Sequence, residues 1–241
     1  MKRILDLVVS ILGLLVASPL LITVTFLVWL QDRHSPFYIA SRVGKDEKLF
    51  RMVKLRSMIV NADKNGVDST GSNDTRITPI GHFIRDYKLD ELTQLWNVFL
   101  GDMSLVGPRP NVKSETDLYT DAEKKLLSVR PGITDFSSIV FSDEGEILAD
   151  KQDPDLSYNQ LIRPWKSRLG IIYIENRTIL LDFSLILYTV VAIISKKIAL
   201  SWVIDRLTDL NVNEELITVS KRETELYPSP PPGSSLIVTE R

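Results

Sequence analysis

The sequence has no cysteine among its 241 residues. This absence excludes disulfides, thiolate metal sites and cysteine nucleophiles, and it suits a cytoplasmic location. The chain also lacks a strong excess of either charge, since its formal net charge is −2. A general nucleic-acid binder is usually basic, so we expect no nucleic-acid partner, although local basic clusters can still bind particular anions. The length suits one ordinary domain with appendages.

The first thirty residues hold an unusual share of the apolar side chains. Residues 7–30 carry no formal charge, and this length is enough to cross a hydrocarbon core of about 30 Å. The run is too long for a secretory signal peptide and has no clean cleavage site. Ser18-Pro19 interrupts it near the middle, and basic residues flank both ends,. The residues alone leave a simple spanning helix and a re-entrant helix equally open.

Two polar segments follow the apolar one. Residues 37–58 contain six cations, and attraction to anionic lipid headgroups explains part of this basic character. Residues 61–74 are rich in Asn, Asp, Ser and Gly. This composition predicts an exposed loop, which we expect to order only with substrate.

Helical spacing of apolar residues predicts a helix over residues 89–100,. The predicted buried stripe consists of Leu89, Leu92, Leu95, Trp96, Phe99 and Leu100. Asp90, Gln94 and Asn97 fall on the opposite face, with Glu91 beside them. The two adjacent carboxylates therefore lie near the positive end of the predicted helix. The following Gly107-Pro108-Arg109-Pro110 loop is stiff and limits where Arg109 can point,.

The remaining segments predict a mixed α/β fold that is mainly helical. We expect a short helix over residues 120–129, a turn at 130–132 and a β-rich stretch over 133–141. Residues 183–195 are apolar but too few to span a bilayer, so a core or interfacial helix is expected. The proline-rich end, residues 228–233, predicts a flexible tail,.

Adjacent acids in a first helical turn are commonly structural, because they favour the exposed amides there. The neighbouring cations change this interpretation: they are Lys54, Arg56, Arg85, Lys88 and Arg109. Arginine binds phosphate through two parallel hydrogen bonds, and a carboxylate can hold Mg²⁺ or attack phosphorus. Phosphoryl transfer uses both carboxylates and cations, so this set of residues fits such a reaction. The alternative is that the same residues form only a surface salt-bridge network.

Four motifs together resemble a known family. They are Lys54-x-Arg56-Ser57-Met58, residues 76–85 (RITPIGHFIR), residues 89–110 (LDELTQLWNVFLGDMSLVGPRP) and residues 130–134 (RPGIT). In this order and spacing, the chain from about Lys2 to about Ile194 resembles the bacterial sugar transferase family, the monotopic phosphoglycosyl transferases.

The resemblance implies an enzyme that transfers a sugar 1-phosphate from a UDP-sugar to undecaprenyl phosphate and releases UMP. Asp90 would be the nucleophile that forms a covalent phosphosugar, and Glu91 would help Asp90 hold Mg²⁺, although Mn²⁺ would fit the same oxygen ligands. Lys54, Arg85 and Arg109 match family cations that contact phosphates or fix the site. We extend the phosphate role to Arg56.

The resemblance also favours the re-entrant alternative, with the break at Ser18 and Pro19. It implies a re-entrant membrane helix over residues 1–33, a compact cytoplasmic catalytic domain with interfacial helices over 34–200, and an extension over 201–241. The enzyme would lie on the cytoplasmic face of the bacterial inner membrane and initiate a surface glycan such as exopolysaccharide, capsule or O-antigen. Membrane lipids are expected partners, and a homodimer and downstream glycosyltransferases remain open.

Two departures from the family pattern bear on specificity. Thr93 stands where the family usually has proline, and Asp135-Phe136-Ser137 replaces a commoner glycine-containing sequence. The second departure puts the sugar identity in doubt rather than the reaction type. Two rival functions remain: a non-catalytic membrane anchor, and a phosphatase or nucleotide-sugar hydrolase in which water takes the second displacement.

Overall fold

A computed structural model describes residues 1–62, 71 and 73–240. The fold is mainly helical with some β-structure, as the sequence predicts, and the strands of the described residues form two small sheets. The α-helices are α1 (Lys2–Asp32), α2 (Pro79–Asp86), α3 (Leu89–Leu92), α4 (Leu95–Leu100), α5 (Lys113–Thr116), α6 (Phe136–Val140), α7 (Glu144–Ile147), α8 (Pro154–Ser157), α9 (Arg163–Asn176), α10 (Ile179–Ile194), α11 (Lys196–Asp209) and α12 (Glu214–Lys221). Short 3-10 turns span Lys45–Glu47 and Glu123–Ser128, and a π-helical turn spans Tyr158–Ile162. The strands are β1 (Phe37–Val43), β2 (Leu49–Leu55), β3 (Ser104–Val106) and β4 (Gly132–Thr134).

Helix α1 is 31 residues long and continuous through Pro19. The predicted interruption at Ser18-Pro19 is therefore absent from the hydrogen-bonded helix. Pro19 has no N–H to donate to the carbonyl of Leu15, one turn earlier. The Ser18 hydroxyl donates to that oxygen instead, at 2.8 Å. This local replacement explains how the helix accommodates the proline.

The start of α1 is fixed to the rest of the fold by polar contacts. The Lys2 ammonium lies 2.7 Å from the Asp182 carboxylate of α10, and Arg3 donates to backbone carbonyls at the end of α4. The buried Asp6 carboxylate accepts hydrogen bonds from Ser104 and from the N–H of Leu105, both at 3.0 Å. These bonds tie the N-terminal turn of α1 to β3.

The end of α1 contacts the same domain through apolar packing and an ion pair. Val24 and Val28 are buried in a cluster with three residues of β2, α2 and α3, namely Leu55, Ile84 and Leu89. Asp32 pairs with Arg56 at 2.6 Å. Much of the surface between the two ends is exposed and apolar, including Leu12, Leu15, Val16 and Ile22. Both ends of a long apolar helix therefore lie against one domain.

The two sheets bring the sequence motifs together. Strands β1 and β2 form an antiparallel hairpin, while β3 and β4 pair in parallel and join the GPRP loop to the RPGIT turn. At Gly132 a Cβ atom would lie 2.1 Å from the backbone N of Gly107. A side chain at this position would force the two motifs apart.

The predicted helix over residues 89–100 is two short helices, α3 and α4, joined at Thr93 and Gln94. The predicted stripe is also only partly correct, because Trp96 and Leu100 are exposed whereas Gln94 and Asn97 are buried. Asn97 is buried because its side-chain amide makes hydrogen bonds with the backbone of β2 of the kind that a neighbouring strand would make. It accepts from the N–H of Val53 at 2.9 Å and donates to the carbonyl of Arg51 at 2.7 Å.

Three other predicted elements differ in type or extent. The β-rich stretch expected over residues 133–141 is the short β4 followed by α6, which Asp135 caps. The short helix expected over residues 120–129 is the 3-10 turn Glu123–Ser128. In the polar loop predicted over residues 61–74, residues 63–70 and 72 lie outside the described part of the chain.

Helix α10 includes the apolar run predicted to be a core or interfacial helix. Leu181 and Leu185 join the main core, whereas other apolar side chains of the same helix are exposed. The outer residues are Leu180, Phe183, Leu187, Val190, Ile193 and Ile194. One helix is therefore both core on one face and an exposed apolar surface on the other.

The C-terminal extension packs on the domain instead of forming the loose tail that its composition predicts. Helices α11 and α12 contribute Val203, Leu207 and Leu216 to the main core. Farther along, the N–H of Ser229 donates to the carbonyl of Gln160 at 3.0 Å. Proline favours an extended backbone, and here that backbone finds hydrogen-bond partners on the π-helical turn, which the composition alone does not reveal.

Candidate active site

A cleft of about 990 Å³ brings together most of the predicted site residues. It is lined by Lys54 of β2, Arg85 of α2, Asp90 and Glu91 of α3, and Arg109 of the GPRP loop. These five side chains come from four separate segments. The small sheets and the packing of α3 on β2 place them around one space.

Asp90 lies in the single turn of α3, so the favourable dipole expected from a longer helix is small here,. Its backbone is held by Thr93, whose hydroxyl donates to the carbonyl of Asp90 at 2.9 Å and also lies 3.1 Å from the carbonyl of Val53. A proline at position 93 would lack this hydroxyl. The departure from the family pattern thus links the acid-bearing turn to β2.

Lys54 faces Asp90 from β2, with 3.9 Å between the ammonium nitrogen and a carboxylate oxygen. Burial, together with the charge of Arg109, lowers the pKa of Lys54 to about 8, and the carboxylates of Asp90 and Glu91 only partly oppose this. The ammonium is therefore poorly solvated and lies beside the carboxylate of Asp90, for which the family resemblance implies the role of nucleophile. An anionic ligand beside Lys54 would stabilise the charged ammonium and so offset much of the effect of burial.

Glu91 and Arg109 form an ion pair, with 2.8 Å between an Nη1 and an Oε1 atom. Burial alone would raise the pKa of Glu91, but the positive charges of Arg109 and Lys88 outweigh it and hold that pKa below its usual range. Glu91 in turn raises the pKa of Arg109. The pair stays ionised, and the arginine remains at the cleft wall.

Arg85 is positioned by the close packing of two motifs. At Gly81, a Cβ atom would lie 1.8 Å from the carbonyl oxygen of Ser57. This contact lets α2 sit directly on the segment after β2, where the Nε of Arg85 donates to the Ser57 hydroxyl at 3.1 Å. Burial lowers the pKa of Arg85, yet an arginine remains charged.

Arg56 lies elsewhere. Its guanidinium binds both oxygens of Asp32, at 2.6 and 2.7 Å, and its Nε donates to the carbonyl of Ser35 at 2.8 Å. It does not line the cleft. The structure therefore places Arg56 against the end of α1 and does not bring it together with the other predicted phosphate-binding residues.

Asp90 and Glu91 fit a Mg²⁺ site of the kind completed by substrate. Mg²⁺ in such sites is held by one or two carboxylates together with phosphate oxygens and water. Within residues 1–62, 71 and 73–240, no group of three or more acidic or histidine side chains is arranged to hold a metal ion. Phosphate oxygens of a bound donor would have to supply further ligands, and Mn²⁺ would suit the same oxygens.

Other polar residues of the cleft carry no motif and were not predicted as site residues. Glu144 and Lys166 form an ion pair on its wall. Asp135 also lines the cleft, and burial raises its pKa. Asp135 belongs to the segment Asp135-Phe136-Ser137, whose departure from the family pattern is the one sequence signal here. Glu144 and Lys166 gave none, because their pairing joins segments that are remote in sequence.

The model of the bacterial sugar transferase family matches residues 1–196. The chain belongs to the bacterial sugar transferase family. The family match contains every residue of the site described above, together with α1 and α10. Helix α12 and the packed proline-rich end lie beyond it, so the extension is an addition to the family's shared part.

The chain is similar to curated bacterial proteins, three of which follow. A UDP-N-acetylgalactosamine-undecaprenyl-phosphate N-acetylgalactosaminephosphotransferase of Aeromonas hydrophila is 32% identical over 76% of this chain. An undecaprenyl-phosphate galactose phosphotransferase of Salmonella typhimurium is 42% identical over 56%, and an exopolysaccharide production protein of Sinorhizobium fredii is 38% identical over 55%. The matches span 44%, 31% and 66% of those proteins, respectively.

Proposed function

We propose that this sugar transferase moves a sugar 1-phosphate from a UDP-sugar to undecaprenyl phosphate, producing undecaprenyl-diphosphate-sugar and UMP. The observation that carries the proposal is the placement of Asp90 and Glu91 among Lys54, Arg85 and Arg109 in one cleft. A diphosphate and a carboxylate repel each other, so attack by Asp90 needs positive charge around the reacting phosphorus. The names of the relatives support the same pair of substrates.

The reaction proceeds by two displacements. In the first, an Asp90 carboxylate oxygen attacks the sugar-bearing phosphorus, and the bond to the bridging oxygen breaks with its electron pair leaving on UMP. In the second, a phosphate oxygen of undecaprenyl phosphate attacks the same phosphorus and releases the Asp90 carboxylate. Covalent capture lets the nucleotide leave before the lipid phosphate enters.

The other residues each act on charge or position. Arg109 and Arg85 bind phosphate oxygens through their planar donors, and Lys54 offsets the charge that builds up beside Asp90. Glu91 orients Arg109 through their ion pair. Mg²⁺ held by Asp90, Glu91 and donor oxygens would supply further charge neutralisation.

The membrane arrangement follows from the anchoring of α1. Its two ends contact one domain, through Lys2, Arg3 and Asp6 at the start and through Val28 and Asp32 at the end. A helix that crossed the bilayer would place these ends on opposite faces, where a single water-exposed domain could not reach both. We therefore infer that α1 enters and leaves on the same side, by a bend at Ser18 and Pro19 within the continuous helix, with its exposed middle in lipid.

The proposed location is the cytoplasmic face of the bacterial inner membrane, where the domain would start a surface glycan. UDP-sugars are soluble, whereas the acceptor phosphate lies at headgroup depth, so the cleft must open near the interface. The outer face of α10, with Phe183 and Leu187 exposed, supplies a second apolar contact with that interface. The exopolysaccharide role in the name of the Sinorhizobium relative supports the glycan assignment.

The test is intact mass spectrometry of detergent-solubilised protein mixed with Mg²⁺ and UDP-N-acetylgalactosamine, UDP-galactose or UDP-glucose, without acceptor. We expect one donor to add a sugar phosphate to the wild type and release UMP, and Asp90→Asn to show neither. Asp117→Asn is the matched control, because Asp117 is an exposed acid that pairs with Lys113 and does not line the cleft. A sugar-phosphate adduct on the Asp90→Asn variant would refute the assignment of Asp90 as the nucleophile. Release of UMP without transfer to added undecaprenyl phosphate would favour the alternative function of a nucleotide-sugar hydrolase. No reaction with an extended panel of donors would favour a non-catalytic membrane anchor.

A further inference from the structure

Helix α10 has two apolar faces outside the core, and they differ in what they border. The outer stripe is exposed and comprises Leu180, Phe183, Leu187, Val190 and Ile194. A second group, Ile186, Val190 and Ile193, lines the same cleft that holds Asp90 and Glu91. With ~100° of rotation per residue, the centres of these groups are roughly 70° apart around the helix. Val190 belongs to both, so the cleft wall continues directly into the outer stripe.

The apolar wall is matched to one of the two substrates. The donor is a nucleotide linked to a sugar and offers polar groups throughout, so it gains little from three aliphatic side chains. The acceptor is amphiphilic: its phosphate must reach the phosphorus on Asp90, while its hydrocarbon chain begins one bond away. Burying that chain against aliphatic side chains is favourable, whereas leaving it in a polar cleft is not.

Several other aliphatic residues line the cleft, including Met52, Leu105 and Ile139, but these three are buried, whereas Val190 and Ile193 are exposed. Charged groups, including Arg109 and Lys54, line the same cleft. The inner neighbour of the wall is Thr189, whose hydroxyl is 2.5 Å from that of Thr134 and is thereby held on β4. Ile193 is 69% exposed and Val190 is 52% exposed, so both remain available to a ligand that arrives from the membrane side.

We propose that the first isoprene units of the lipid acceptor lie along Ile186, Val190 and Ile193 and leave the cleft over α10 towards the bilayer. This inference rests on the proposed transferase function. It assigns α10 a part in acceptor recognition, separate from its apolar contact with the membrane surface. The donor half-reaction does not use this wall.

The test compares Ile193→Asn with Leu187→Asn in the full-length protein in detergent. Both replace an exposed aliphatic residue of one helix by the same polar residue, since Leu187 is 54% exposed, but only Ile193 lines the cleft. The first readout is UMP release and adduct formation without acceptor. The second is transfer to farnesyl phosphate, a short acceptor whose binding in detergent does not depend on a bilayer.

For Ile193→Asn we expect the KM for farnesyl phosphate to rise about fivefold or more, from the loss of aliphatic contact with the chain. Adduct formation should stay within about twofold of the wild type, and Ile193→Leu should restore the KM. Leu187→Asn should change the KM by less than about twofold. We expect this small change in KM because Leu187 is exposed and does not line the cleft,.

Equal changes in the two asparagine variants, or an unchanged KM in Ile193→Asn while the wild type completes both half-reactions, would overturn the proposal. A parallel fall in adduct formation and transfer would also overturn it, since the wall would then serve the donor or the fold. Failure of the proposed function has a different signature, because the wild type itself would then form no adduct and release no UMP.

Discussion

Lys54 allows the electrostatics of the site to be tested by pH. Its pKa is lowered to about 8 by burial and by the nearby Arg109. If the ammonium form is needed for attack on the donor, kcat/KM for the UDP-sugar should fall above this pH, because that parameter reports the free enzyme. Only about a tenth of Lys54 would remain charged one pH unit above its pKa, so the fall should approach tenfold per unit.

The comparison variant is Lys54→Arg, whose guanidinium stays charged throughout the alkaline range. Its absolute activity should be lower, because the planar head group does not reproduce the position of the ammonium beside Asp90. Its kcat/KM should nevertheless decline less steeply between pH 8 and 9. Ionisation of the donor and of other enzyme groups affects both proteins, so the difference between their profiles isolates Lys54. Initial rates of UMP release over pH 6.5–10 supply the measurement.

The free energy of unfolding should rise with pH over the range in which kcat/KM falls. The folded-state pKa of Lys54 lies below its unfolded value of 10.5. Between these two values the unfolded chain binds the proton that the folded chain releases, so this residue makes stability rise with pH across that window. The full effect on the free energy of unfolding is on the order of 3 kcal/mol.

A kcat/KM profile identical in wild type and Lys54→Arg would refute the assignment of a low-pKa ammonium to catalysis.

Three further predictions concern the supports of the site. Arg56→Met should lower the thermal unfolding temperature through loss of the Asp32 pair and change the donor KM by less than about twofold; a large rise in KM with unchanged stability would restore the phosphate role. Arg163→Met should lower the free energy of unfolding in denaturant by about 3–5 kcal/mol, because it leaves the buried carboxylate of Glu123, which is 0% exposed, without its charge partner,. Adding Glu123→Leu to this variant should recover part of that loss, and no recovery would contradict the ion-pair account. Truncation after residue 225 should reduce stability by about 1–3 kcal/mol, since the bonds from Ser229 to Gln160 and from Arg168 to Pro230 disappear,; an unchanged unfolding midpoint would show that the packed end contributes nothing.

Strong local patterns were sufficient for several parts of the molecule. The long uncharged run predicted α1, and the apolar run at residues 183–195 predicted a core or interfacial helix, which corresponds to α10. The motif order predicted the family, which the match over residues 1–196 confirms. Lys54, Arg85, Asp90, Glu91 and Arg109 were all candidates from sequence, and they line one cleft. Their catalytic roles stay predictions.

Long-range contacts decided the rest. Asn97 reads as an outward polar residue by helical periodicity, yet it is buried because the backbone of β2 needs its amide. Arg56 has the same local appearance as its neighbouring cations, but Asp32, at the far end of α1, binds it away from the cleft.

The sequence by itself determined what depends on nearest neighbours along the chain: the apolar length of α1, the adjacent acids Asp90 and Glu91, and the stiffness of the GPRP loop. The tertiary structure alone decided which cations reach those acids, that both ends of α1 contact one domain, and that the proline-rich end packs. Periodicity and composition encode local conformation, whereas these pairings arise between segments up to 180 residues apart, as with Lys2 and Asp182, and their partners leave no local trace in sequence.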